Sequence, residues 1–144
     1  MRTIVIAAML ALPVVAKGLP SPPDYGPAVS YEDGVKAGEA YIKKELLDPY
    51  SAVFEWPYTF VEFDEKVPLF KRTTGYATCF TYNAKNSYGG YIGVHTYRIM
   101  IKDGVVIDYA QVSDLRFVPD ICKELINKYG MVAVTNAPRH APPT

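Results

Sequence analysis

The sequence predicts an α+β fold: a helix, a four-stranded antiparallel meander, and a C-terminal helix tied to the sheet by one disulfide. Three observations carry that reading. Residues 73–83 alternate, with Tyr76, Thr78, Phe80 and Tyr82 on one face and Gly75, Ala77, Cys79 and Thr81 on the other. Period-2 alternation rich in β-branched and aromatic residues is the signature of a strand. Asp103-Gly104 separates two further strand-like stretches, 91–102 and 105–112, and both turn residues tolerate the positive φ that a type I′ hairpin requires. Ser30, with Asp33 three residues on, opens a run in which Val35, Gly38, Ile42 and Leu46 recur at helical spacing.

At the start of the chain, Arg2 precedes an apolar run, Ile4 to Ala16, that ends in the small-residue pattern Val14/Ala16 of a signal-cleavage site. The run is shorter than the about twenty residues a membrane-spanning helix needs. Residues 1–16 are therefore expected to be a signal peptide, with no membrane span left after cleavage; a short uncleaved anchor is the other reading. No cysteine follows the run, which excludes the lipid-anchored kind of signal. Removing 16 of the 144 residues leaves 128, an ordinary length for one domain with a sizeable core. A periplasmic or secreted location follows from this reading.

Residues 17–29 hold Pro20, Pro22, Pro23 and Pro27 and read as an extended linker. A single domain is expected over 30–134. Its first helix carries Gly34 and Gly38, each costing about 1 kcal/mol of helix propensity; two glycines one turn apart predict close packing on the sheet. Asp48-Pro49 ends the helix, because a residue before proline avoids helical backbone. Residues 52–63 read as the first strand, with Phe54, Trp56, Tyr58 and Phe60 alternating and Pro57 marking an edge or a bulge. Residues 64–71 are a charged connection.

The two-residue turn sets a register for the last hairpin. Lys102 then faces Val105, Ile101 faces Val106, Ile99 faces Asp108, Tyr97 faces Ala110 and His95 faces Val112, with Met100 beside Ile107 and Arg98 beside Tyr109 on the other face. Neither face is wholly apolar, so one covered and one wet face are expected, with Ile99, Ile101, Val106 and Ala110 in the core. The last helix is expected from Pro119 to Tyr129, with Gly130 as its C-cap and Ile121, Cys122, Leu125 and Ile126 inward. Pro138, Pro142 and Pro143 make 135–144 a disordered tail.

The chain has two cysteines, and in an exported protein they point to one disulfide, Cys79 to Cys122. Two buried free thiols are the other reading. Two cysteines and two histidines without ligand spacing do not make a metal site, and no cofactor motif is present, so no cofactor is expected. Fifteen basic residues balance fifteen acidic ones, with no basic stripe or like-charge block, which argues against nucleic acid and anionic membranes as partners.

Three pieces together, 47–54 (Leu-Asp-Pro-Tyr-Ser-Ala-Val-Phe), the Cys79 strand running into 83–91 (Asn-Ala-Lys-Asn-Ser-Tyr-Gly-Gly-Tyr) and the cysteine of the last helix, resemble a group of small exported bacterial proteins, some of them phage- or prophage-encoded. The resemblance covers roughly residues 40 to 125. It implies export and a single domain, and it carries over no activity. Phe80 stands where that group has a glycine after the strand cysteine, which implies a more regular strand here.

The candidate site is the loop from Asn83 to Gly93. Asn83, Lys85, Asn86 and Ser87 offer donors and acceptors, and Tyr82, Tyr88 and Tyr91 offer flat rings with a polar tip. That mixture suits a glycan or a protein partner of the cell envelope. Asn and Gly also serve turns, and tyrosines also fill strand faces. For catalysis, His95 with Asp108 or Asp114 is the one base candidate, pointing to a small hydrolase. Glu55, Glu62, Asp64 and Glu65 could supply paired carboxylates, but read more simply as a solvated edge. The leading expectation is a non-catalytic binding protein; a subunit of an envelope or phage-related assembly is a further one.

Overall fold

A computed structural model describes residues 21–66, 72–112, 120–137 and 139–140. The expected signal peptide, Pro119 and Asp114 lie outside them. Helix α1 (Tyr31–Glu45) begins as its cap predicts: Ser30 Oγ accepts from the Asp33 N–H at 3.1 Å and donates to the Asp33 carboxylate at 2.7 Å. It ends short of Asp48, whose carboxylate caps a single 3₁₀ turn, Pro49–Ser51.

Strands β1 (Val53–Glu55), β2 (Val61–Glu65), β3 (Thr73–Asn83), β4 (His95–Lys102), β5 (Val105–Gln111) and β6 (Arg139–His140) form one antiparallel sheet, followed in chain order after β5 by α2 (Ile121–Tyr129). The spatial order is β5-β4-β3-β1-β6, with β2 also paired to β3. Six strands replace the expected four, and two breaks in sequence logic account for the difference. The expected strand at 52–63 is two strands on one edge of β3: β1 pairs residues 81–83 and β2 pairs residues 73–77. Pro57 has no N–H to donate, so the ladder cannot run through it. Thr78 Oγ1 fills part of the gap by donating to the Tyr58 carbonyl at 3.3 Å. The second addition is β6, which pairs with β1 and takes the fold past Val134, where a disordered tail was expected to start.

The hairpin turn forms as predicted, with φ of 53° at Asp103 and 75° at Gly104. Lys102 faces Val105 and Ile101 faces Val106, but a bulge between Ile101 and Met100 then shifts the register. Ile99 faces Tyr109 rather than Asp108, Tyr97 faces Gln111 rather than Ala110, and Ala110 is exposed. The extra residue, Ile107, turns outward. The shift suits both faces. It brings Tyr109 into the core, and it sets Asp108 against Arg98, a buried guanidinium that also bonds Glu65 at 2.9 Å. A buried charge without partners is far costlier than an exposed isoleucine.

Both faces of the sheet are covered, not one. On the first, α1 packs Val35 and Ile42 onto Phe54, Trp56, Phe80, Tyr82, Tyr97 and Ile99. Trp56 stacks on Phe80 with ring centroids 4.1 Å apart. Gly34 and Gly38 allow this approach, since a Cβ on Gly38 would meet the Trp56 ring at 2.5 Å and one on Gly34 the Phe60 ring at 2.4 Å. On the second face, Leu125 of α2 packs with Phe63, Ala77, Cys79, Met100 and Met131. Ile126 is exposed, and Tyr129 takes the inner place expected for it, edge-on to Phe63. The Cys79–Cys122 disulfide forms, with Cα atoms 5.9 Å apart, and clips α2 to β3. The linker is tied at its end: Lys102 Nζ donates to the Asp24 carbonyl at 2.7 Å. Among the described residues, no helix is long and apolar enough to cross a membrane.

Candidate functional site

The loop from Asn83 to Gly93 joins β3 to β4, at the opposite end of the sheet from the Asp103-Gly104 turn. The strand expected from Tyr91 starts only at His95, so Ile92 and Val94 belong to the loop and are exposed. The side-chain oxygens of the two asparagines brace the loop, although Asn86 itself stays exposed. Asn86 Oδ1 accepts from the N–H groups of Tyr88 at 2.9 Å and Gly90 at 3.1 Å, and Asn83 Oδ1 accepts from Gly93 at 3.1 Å. Backbone bonds from Asn86 N to Gly90 O and from Ile92 N to Ala84 O close the loop around them. Ala84 is buried beneath.

A residue the sequence reading passed over anchors the base. Ser51 Oγ accepts from the Lys85 N–H at 2.8 Å, so the Asp48-Pro49 turn and the loop are joined across 34 residues. A serine that directly follows a helix-stopping Asp-Pro-Tyr was the only available signal, and it reads equally as ordinary turn chemistry. Exposed Leu47 precedes that turn and exposed Tyr50 lies within it.

Asn86, Ser87, Tyr88 and Tyr91 are exposed, and Asn83 and Lys85 are half-buried. Tyr88 is 95% exposed at the tip, and Ser87 is exposed beside it. Tyr91 is about half-exposed, with Lys85 Nζ 5.5 Å from its ring centroid. Tyr82 is buried: its hydroxyl accepts from Tyr109 at 3.1 Å and its ring stacks on Tyr97. A recess of about 190 Å³ opens beside the loop, lined by Val53, Glu55, Tyr82, Tyr91, Val94 and Arg139. Arrayed this way, the loop presents one free aromatic ring, one cation and short aliphatic side chains on a backbone that its own asparagines hold in place.

Among the described residues, the catalytic candidates are not brought together. His95 is exposed, and its Nδ1 meets Gln111 Nε2 at 3.3 Å. Asp108 turns to Arg98. The acidic residues of the edge are each engaged: Glu55 with Arg139, Asp64 with Arg72, Glu65 with Arg98, and Glu62 with the Tyr76 hydroxyl. Cys79 is in the disulfide. Among the described residues no group of three or more metal-ligating side chains forms. Compared with family models, curated proteins and solved structures, the chain shows no match.

Proposed function

We propose that this chain is an exported, non-catalytic binding protein that engages a glycan or protein of the cell envelope through the loop from Asn83 to Gly93. The observation that carries the reading is Tyr88, a ring 95% exposed on a loop whose fold is held by two asparagine side chains. A large apolar ring in water gains most by finding a partner, and a loop that its own side chains already hold in one shape loses little entropy on binding. Lys85 and Tyr91 pair with each other in the same loop and supply the charged and aromatic contacts that dominate measured interfaces. The disulfide supports export, since such bonds persist in oxidising compartments.

The test is retention of the immobilised protein's partner from two sources, purified peptidoglycan sacculi and a detergent extract of envelope proteins. Wild type should retain material from one of them, and Tyr88→Ala should retain little. Equal retention by the two proteins, or none by wild type from either source, sinks the reading.

A further inference from the structure

We propose that the outer edge of β1 is a binding site for an extended, basic peptide segment of a partner protein, occupied here by the chain's own C-terminal residues. The edge adjoins the recess that Tyr91 and Val94 line, but it does not include Tyr88 and stands whether or not that ring binds. An exposed strand edge pairs with any extended chain that fits it. Among the described residues the occupant pairs at two positions: His140 faces Phe54 and Arg139 faces Glu55. Successive strand side chains point to opposite faces, and each face of this edge offers one carboxylate. On one, Arg139 Nη2 lies 2.7 Å from Glu55 Oε1. On the other, His140 Nδ1 meets Glu39 Oε1 of α1.

Glu39 is the more telling of the two. It is 9% exposed, which is unusual for a glutamate, and its carboxylate also accepts from Trp56 Nε1 at 3.3 Å and Lys43 Nζ at 3.0 Å. It sits in a recess of about 290 Å³ that Tyr31, Glu32, Val35, Lys36 and His140 complete. A carboxylate held there reads the side chain that arrives along the strand edge and favours an imidazole or another donor of positive charge. The pair thus selects a sequence: a cation opposite Glu55, then a histidine or cation at the next residue.

Backbone bonds upstream tether the chain's own segment to this edge. The Thr59 N–H donates to the Val132 carbonyl at 2.9 Å and the Val134 N–H to the Pro57 carbonyl at 2.8 Å. The backbone then turns through Asn136 at φ 59° and rejoins the sheet at Arg139. A short tether raises the local concentration of a weak ligand. A partner strand that carries the same cation and histidine pair competes for this edge and displaces the chain's own residues.

The probe is a fluorescein-labelled peptide of residues 135–144, with the same peptide carrying alanine at the Arg139 and His140 positions as control. Fluorescence anisotropy compares its binding to full-length wild type and to the full-length Arg139→Ala/His140→Ala protein. The double variant should bind the native peptide at least tenfold more tightly than wild type does, and should not bind the control peptide. Adding Glu55→Gln, a half-exposed position that leaves the fold intact, should weaken that binding about tenfold. Equal affinity in wild type and variant, equal binding of both peptides, or no saturable binding by the variant overturns the proposal. Should the double variant not fold, His140→Ala alone provides the same comparison, with the same readings for and against.

Discussion

Tyr88 and Asn86 lie two residues apart and do opposite jobs. The asparagine spends its side-chain oxygen on the Tyr88 and Gly90 N–H groups; the tyrosine spends nothing on the protein and faces water. Asn86→Ala therefore disturbs the loop itself and cannot report on binding cleanly. Gly38 shows how local propensity is overruled. Alanine at an exposed helix glycine gains about 1 kcal/mol, but a Cβ here would press into the Trp56 ring, which is itself stacked on Phe80. Overpacking a tight core costs about 1–3 kcal/mol, so Gly38→Ala should lower stability in urea unfolding; a gain would show that the helix can shift off the sheet. Tyr97 belongs to a stack with Tyr82 and Tyr109. Burial, and then its hydrogen bond with Tyr82, push its phenol up from 10 to about 12. The folded state thus holds that proton more tightly than the unfolded chain. The contribution is whole below pH 10 and is lost as pH rises toward about 12. The urea midpoint should fall across that window, and Tyr97→Phe should fall less; matching pH curves for the two proteins would contradict this.

Among the elements, those with purely local logic were legible in the sequence. Thr73–Asn83 is β3 to the residue, Ser30 caps α1, and Asp103-Gly104 makes its turn. The elements that were misread depend on partners distant in the chain. Nothing local to 105–112 says that Tyr109 and Asp108 will each gain by a one-residue slip; Arg98 and the ring stack decide it. Proline-rich composition hid β6, although its two residues need only a strand edge and two carboxylates. The site was half legible. Tyrosine, lysine and glycine at 85–91 marked the loop, whereas nothing local showed that the oxygens of Asn83 and Asn86 also brace it, and Ser51 carried no mark. Helix α2 offers an element-scale test. Asp120 Oδ1 accepts from the N–H groups of Cys122 at 3.0 Å and Lys123 at 3.2 Å, and the helix is only nine residues long. Asp120→Ala should cost about 1 kcal/mol in denaturant unfolding; an unchanged midpoint would mean that the disulfide alone sets where the helix begins.

At the scale of the whole molecule, a single sheet separates two cores, each closed by one helix. The second core is the smaller and leans on the disulfide, which spans 43 residues. Closing a loop of that size stabilises by about 4 kcal/mol in the chain-entropy account. A Cys79→Ala/Cys122→Ala protein should lose that much, measured by urea unfolding, with its α2 amides exchanging faster than those of α1. The same architecture leaves the two ends of the sheet free for different work. One end is the tight Asp103-Gly104 turn, with Val105 exposed beside it; the other is the braced loop that presents Tyr88. The direct test of the binding account compares these two ends. With the partner isolated on the immobilised protein, affinity is measured for wild type, Tyr88→Ala and Val105→Ala. Truncating a residue at the centre of an interface costs about 2 kcal/mol or more, a loss of about thirtyfold in affinity. The account predicts that loss for Tyr88→Ala and wild-type affinity for Val105→Ala; full affinity in Tyr88→Ala would contradict it.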